Sequence, residues 1–227
     1  METEKKKYKV ETHAHTAEVS TCGHLDGETL IRLYAESGYS TVFITDHFYS
    51  AFFEKQGDID WHKKLCEYRK GYEAAKMAGE KYGVCVLGGA EMRLDCCPND
   101  YLVYGLSEQF LETHEEILKL DLIAFSNLVR ENGGLIVQAH PTRRPKSCPT
   151  PEFVDGFEVH NTNPRHAEHA DYAYENELAE KYGLLKTGGS DTHRTEDVGL
   201  GGMAFPFLIT SVFDYIRAVK KGEGCVL

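Results

Sequence analysis

Seven short β-rich runs alternate with longer stretches of helical spacing, and nearly every run ends in a histidine or an acid. The runs are Lys7 to Glu11, Thr41 to Thr45, Val84 to Ala90, Tyr101 to Tyr104, Gly134 to Gln138, Gly156 to Val159 and Leu184 to Thr187. Such alternation predicts an α/β fold with a parallel sheet or barrel, because a parallel strand pair needs a connection long enough to hold a helix. Seven runs of this kind point to a barrel. At or just past the strand ends come His13 and His15, Asp46 and His47, Glu91, His140, Glu158 and His160, and Asp191 and His193. In a barrel the C-terminal strand ends surround one mouth, so donors far apart in sequence become neighbours.

The intervening segments read as helices. Glu28 to Ser37 carries Leu30, Ile31, Leu33 and Tyr34 at helical spacing, with Gly38 to end it. Asp58 to Tyr82 is the longest helical stretch. Thr113 to Asn132 opens on a Thr113/Glu116 capping pair, and Pro164 to Tyr182 and Ser211 to Lys221 complete the set. The loops Met92 to Asn99 and Pro141 to Phe153 have no linker character, so residues 1–227 are expected to form one domain.

Composition narrows the class of partner. The chain has 227 residues, 41% of them hydrophobic, enough for a substantial core. No apolar run is long enough for a membrane span, and Met1 to Lys7 lacks the apolar centre of a signal peptide, so the expected location is the cytoplasm. Seven cysteines, an odd number with no C-x-x-C pair, fit reduced thiols better than a disulfide framework. A net charge of −11 disfavours general binding to nucleic acid, which needs clustered Lys and Arg, and favours a small substrate.

Residues i and i+2 of a strand face the same side, so His13 with His15 can aim two ring nitrogens at one ion, and Asp191 with His193 can do likewise. The donors at these strand ends are too many for one ion, which implies two or three divalent metals. Imidazole with carboxylate suits Zn, Mn or Fe. Asp46 is placed to orient a neighbouring imidazole rather than to ligate. Past His140, Arg143 and Arg144 offer planar forks for phosphate, with Arg194 as a further candidate and Asn161 as a polar contact. His193 and His160 are the candidate general acids. His62, His114, His166 and His169 lie in or beside helical patterns and are excluded as ligands.

The combination resembles the PHP (polymerase and histidinol phosphatase) family of metal-dependent phosphoesterases. His13-x-His15 is similar to its first motif, Thr45-Asp46-His47 to the second, Ala139-His140-Pro141 to the third and Ser190-Asp191-Thr192-His193 to the fourth. The resemblance spans almost the whole chain. It implies a distorted seven-stranded (βα)7 TIM-like barrel with a trinuclear site at the C-terminal strand ends. Carried over residue by residue, it implies His13, His15, Glu91 and Asp191 on one ion, Glu91 and His140 on a second, and His24, His47 and His193 on a third. It also implies that Arg143 or its neighbour clamps phosphate. The sequence departs at Tyr101-Leu102-Val103-Tyr104-Gly105, where many relatives carry a histidine, so the second ion would need His160 or a substrate oxygen.

The activity implied is hydrolysis of a phosphate ester by a metal-activated hydroxide, on a small metabolite such as histidinol phosphate or a nucleotide. Within the same family the alternatives are a protein-tyrosine phosphatase or an enzyme acting on nucleic-acid ends. A metal-binding module with weak turnover is the alternative from outside catalysis.

Overall fold

The structure, a computed structural model, describes residues 7–143, 147–165 and 167–227. The chain runs β1 (Tyr8–Ala14), α1 (Gly27–Glu36), β2 (Tyr39–Ile44), β3 (His47–Phe48), α2 (Ser50–Glu54), α3 (Trp61–Tyr82), β4 (Cys85–Met92) and β5 (Tyr101–Tyr104). It continues with α4 (Glu108–Glu112), α5 (Leu122–Glu131), β6 (Leu135–Gln138), β7 (Gly156–Asn161), α6 (Tyr172–Tyr182), β8 (Leu185–Gly189), β9 (Met203–Phe205), α7 (Val212–Lys220) and β10 (Cys225–Val226). All seven expected runs are strands.

They lie in one sheet ordered β10-β9-β1-β2-β4-β5-β6-β7-β8, with β3 paired to β4. The sheet curls until its ends nearly meet. Just past β8, Thr192 pairs with Ala14 in a parallel bridge, the His15 N–H donating to the Thr192 carbonyl at 3.0 Å and the Thr192 N–H to the His13 carbonyl at 3.1 Å. At the other end β9 runs antiparallel to β1, and β10 pairs with β9. Gly188 of β8 admits β10 there, since a Cβ on it would lie 2.6 Å from Val226 Cγ1. The result is a mixed α/β fold around a nearly closed, barrel-like sheet.

One strand departs from the parallel expectation. β5 is antiparallel to both β4 and β6. The segment Arg93 to Asp100 before it holds no helix, and so short a connection returns the chain antiparallel rather than carrying it across. The C-terminal end of β5 therefore points away from the mouth, and its N-terminal end, preceded by Asp100, points toward it. Tyr104 instead donates its hydroxyl to the Thr12 carbonyl at 2.9 Å.

Strand alternation sorts the core into layers. Val10, Phe43, Leu87, Leu102, Tyr104, Leu135 and Val137 point into the barrel, where Tyr215 and Ile216 of α7 pack against them. The alternate residues Val42 and Ile44 pack under α1 and α3 instead. An apolar floor leaves the opposite end as the polar one.

The helices begin where acids or serines cap them: Asp26 before α1, Asp60 before α3, Asp121 before α5, Asp171 before α6 and Ser211 before α7. The expected helix from Thr113 is corrected by this chemistry. Thr113 ends α4, its hydroxyl donating to the Gln109 and Phe110 carbonyls, and the long helix starts only after Asp121 accepts from the Ala124 N–H at 2.8 Å. Among the described residues no helix is long and apolar enough to cross a membrane.

Candidate metal centre

His13 and His15 are fully buried at the end of β1, their ring centroids 5.1 Å apart. The β3–β4 register sets His47 opposite Glu91, which brings His47 Nδ1 to 2.6 Å from Glu91 Oε2. Glu91 is also 3.5 Å from the Nε2 atoms of His13 and His15 and 3.0 Å from that of His140. Asp191 Oδ1 lies 3.4 Å from His13 Nε2, 3.3 Å from His15 Nε2 and 3.4 Å from His193 Nδ1. His140 and Asp191 reach these positions with φ of 31° and 49°, left-handed backbone that is uncommon outside glycine and clusters at functional sites.

Donor atoms within 4.8 Å of one another form three overlapping groups: His13 with His15 and Asp191, His13 with Glu91 and His140, and His15 with His47 and His193. Their neighbours fix which nitrogen faces inward. Glu158 Oε1 accepts the Nδ1–H of His13 at 2.9 Å, so Nε2 is the nitrogen that faces the centre. Ser20 Oγ donates to Asp46 Oδ1 at 2.7 Å, so toward His15 Nδ1, 3.3 Å away, it is an acceptor, and His15 also presents Nε2. His193 donates Nδ1–H to the Asp191 carbonyl at 2.8 Å. Asp46 thus orients an imidazole as expected, through Ser20.

Charge is arranged to match. Burial pushes His13 toward neutrality, but the carboxylates of Glu158, Asp191 and Glu91 outweigh it and hold its pKa well above the ordinary value. His47 is also buried, yet Glu91 raises it to about 10. Burial and the nearby His47 and His193 charges drive His15 well below the usual imidazole range. Against their burial, His47 and His13 hold Glu91 far below the usual carboxylate range, and Arg143 and His13 do the same for Asp191. Such opposed shifts in one cleft mark functional sites.

The structure gathers His13, His15, His47, Glu91, His140, Asp191 and His193 at the mouth. It leaves the exposed ring of His24 outside the three groups; the His24 N–H donates to the His193 carbonyl at 2.8 Å. Cys22 comes closer, its Sγ 3.1 Å from Nε2 of both His47 and His193. Burial alone would raise the Cys22 thiol, but these two imidazoles lower it to about 6.

His160 turns away from the centre. Its Nδ1 lies 2.8 Å from the Leu227 carbonyl, because the β7–β8 register slips between Glu158 and His160 and puts Asn161 on the inner side instead. Asn161 is buried and donates to Glu158 Oε2 at 2.9 Å, a brace rather than an open contact. Arg194 is exposed beside Glu196, 4.0 Å away. Arg144 and His166 lie outside the described residues. His62, His114 and His169 are engaged with Glu112, the Phe110 carbonyl and Glu168, as their helical placement suggests.

Arg143 is only 8% exposed, with Nη1 on Asp191 Oδ2 and Nη2 2.8 Å from His140 Nε2. Its turn is anchored by Glu175, whose Oε1 accepts from the Thr142 N–H at 3.0 Å and the Thr142 hydroxyl at 2.7 Å. Burial raises the Glu175 carboxyl from 4.5 to about 7. A raised carboxyl stabilises the fold most when protonated, so stability falls as pH rises from about 4.5 through about 7, by up to roughly 3 kcal/mol. Glu175→Gln, which keeps the acceptor oxygen, is expected to flatten that slope. Melting temperatures at pH 5 and pH 8 should converge in the variant, and an unchanged gap would rule out Glu175 as its source.

A family model described as PHP-associated matches residues 175–223, from α6 to the loop before β10. A two-domain protein from Bacteroides vulgatus containing a predicted PHP-like metal-dependent phosphoesterase shares the fold with a TM-score of 0.68 over 98% of this chain, at 16% identity. The chain has a PHP-like fold. It spans 65% of the length of that two-domain protein. It is similar in fold to an amidohydrolase from Chromobacterium violaceum with bound sulfate (TM-score 0.57, 15% identity, covering 96% of this chain and 97% of that one). It is also similar to a lesion-specific endonuclease from Pyrococcus furiosus (TM-score 0.59, 13% identity, covering 97% and 58%). Comparison with curated proteins gives no match. The three solved structures are named for three different chemistries, so the shared fold does not name a substrate.

Proposed function

We propose that the chain is a metal-dependent hydrolase of phosphate esters, acting on a small phosphorylated metabolite. The observation that carries this reading is a convergence of buried donor atoms. His13 Nε2, His15 Nε2, His47 Nδ1, Glu91 Oε2 and Asp191 Oδ1 face one another at 2.6–3.5 Å, and all belong to the three donor groups. Imidazoles and carboxylates packed this closely away from water fit a site built for cations. Imidazole and carboxylate suit Zn, Mn or Fe. Bound there, divalent ions would lower the pKa of water and neutralise phosphate oxygens.

The chain's own residues do the remaining work. Glu158, Asp46 with Ser20, and the Asp191 carbonyl lock three imidazoles with the required nitrogen inward, so little reorganisation is needed on loading. Substrate would arrive over the more open rim of Cys22, His24, Tyr49 and Arg194. His193, 12% exposed there, joins His15 and His47 in one donor group. A cavity of about 270 Å3 between α3 and β4–β5 is lined largely by apolar residues such as Leu65, Ala90 and Val103 and holds none of the imidazoles, so the chemistry belongs to the mouth. The same reading takes β1, β2, β4, β5, β6, β7 and β8 as seven staves of a distorted barrel, with β3, β9 and β10 as additions.

The test is turnover of p-nitrophenyl phosphate by metal-free protein supplied with Mn, Zn or Fe. A panel of histidinol phosphate, nucleotides, a phosphotyrosine peptide and lesion-containing DNA follows. Metal-dependent release of phosphate from the small monoesters is expected, and inactivity on every phosphoester with every metal would sink the proposal. Preference for the peptide or the DNA would transfer the reading to a macromolecular substrate.

A further inference from the structure

The donor group of His13, Glu91 and His140 shares two of its three members with its neighbours. His13 belongs also to the group with His15 and Asp191, and Glu91 touches imidazoles of every group, so a separate ion in the group of His13, Glu91 and His140 depends on His140. His140 Nε2 is already crowded. Arg143 Nη2 lies 2.8 Å from it and Glu91 Oε1 3.0 Å. A divalent ion on that nitrogen would need to sit about 2 Å away, inside the space the guanidinium fills.

Arg143 is held there rather than lying there loosely. Its N–H donates to the His140 carbonyl at 3.1 Å, closing a tight turn, and Thr142 is pinned to Glu175. Nη1 binds Asp191 Oδ2, so one planar group joins a carboxylate of one donor set to the histidine of another. β5 adds no imidazole to this side, because its Tyr101 hydroxyl contacts Asn99, Cys97 and Thr150. The residue before β5 at the mouth is Asp100, 3.9 Å from His140 Nε2 and already paired with Arg93 at 2.6 Å.

We infer that Arg143 stands in the second metal position as a resident cation, so that the loaded protein holds two divalent ions rather than three. The inference rests on the metal-dependent reading above. It gives Arg143 the charge-neutralising part of a metal's role toward a phosphate oxygen without its Lewis acidity. It also separates His140 from the ligands: the two ions would lie on His13, His15, Glu91, Asp191, His47 and His193.

The test is a count. The full chain is stripped, titrated with Mn(II) by calorimetry, desalted and assayed for bound metal. Two ions per chain are expected in the wild type, three in Arg143→Ala, where His140 is released, and still two in His140→Ala. Three ions in the wild type would overturn the inference, as would an unchanged count in Arg143→Ala or the loss of an ion in His140→Ala. The histidine variant decides the question alone if Arg143→Ala does not fold. Binding of no ion by the wild type would instead remove the metal-dependent reading beneath it.

Discussion

Glu91→Gln is expected to strip the protein of firmly bound metal and to lower metal-dependent phosphoester turnover by on the order of a thousandfold. Altering even an outer partner of a metal ligand costs about 10–100-fold, and Glu91 is no outer partner. Its two oxygens lie 2.6 Å from His47, 3.0 Å from His140 and 3.5 Å from both His13 and His15, so one substitution touches every donor group. Glutamine keeps the shape but removes the charge that a bound cation, or the protonated His47 of the metal-free protein, needs. The metal-free protein should weaken as well. Glu91 is the anion that holds His47 protonated, and breaking a buried ion pair from one side costs about 3–5 kcal/mol. Metal analysis, kcat/KM with p-nitrophenyl phosphate and circular dichroism on the same sample separate the effects. A folded variant that keeps its metal and activity within tenfold of wild type would exclude Glu91 as the shared ligand.

Much of this centre is legible in the sequence because periodicity and strand order are local properties. The spacing of His13 and His15 already fixes their common face, and the strand-helix alternation already carries His47, Glu91, His140 and Asp191 to one mouth. What the sequence hides depends on backbone events without a residue signature. A register slip in β7 swaps the faces of His160 and Asn161, so the expected acid turns outward and the expected contact becomes a brace. The direction of β5 is set by the absence of a crossover helix, which turns the missing histidine at Tyr104 into a question about Asp100 at the other end. Left-handed backbone at His140 begins a turn that folds Arg143 inward onto its own neighbour. Glu158 was readable in part, since an acid among Phe157 and Val159 in a buried strand demands a partner, but only closure of the barrel shows that partner to be His13.

Glu11 carries the second large effect, although its carboxylate ligates nothing. It is fully buried, and Oε1 accepts from the N–H groups of Thr12 at 3.0 Å, His13 at 2.9 Å and Ser190 at 2.9 Å. Oε2 takes the Tyr34 hydroxyl at 2.8 Å. One side chain therefore ties β1 to the segment leaving β8, beside the Ala14–Thr192 bridge. The two ligand pairs, His13-x-His15 and Asp191-x-His193, hang from opposite sides of that tie. Glu11→Ala orphans three backbone N–H groups in a water-free interior, at a cost of roughly 3–5 kcal/mol after relaxation, which for a chain of this size lowers Tm by about 10–15 °C. Metal affinity should fall about 10–100-fold, because the two pairs lose their fixed separation. Glu11→Gln should be far milder. Its amide oxygen can still accept all three N–H bonds, and its N–H2 can donate to Tyr34, whose own proton is free to turn to Thr192 Oγ1. Equal losses in the two variants would mean that charge matters and the tie does not. A large loss confined to alanine, in both Tm and metal affinity, would show that the centre depends on a carbonyl-type acceptor stitching the barrel shut beneath it.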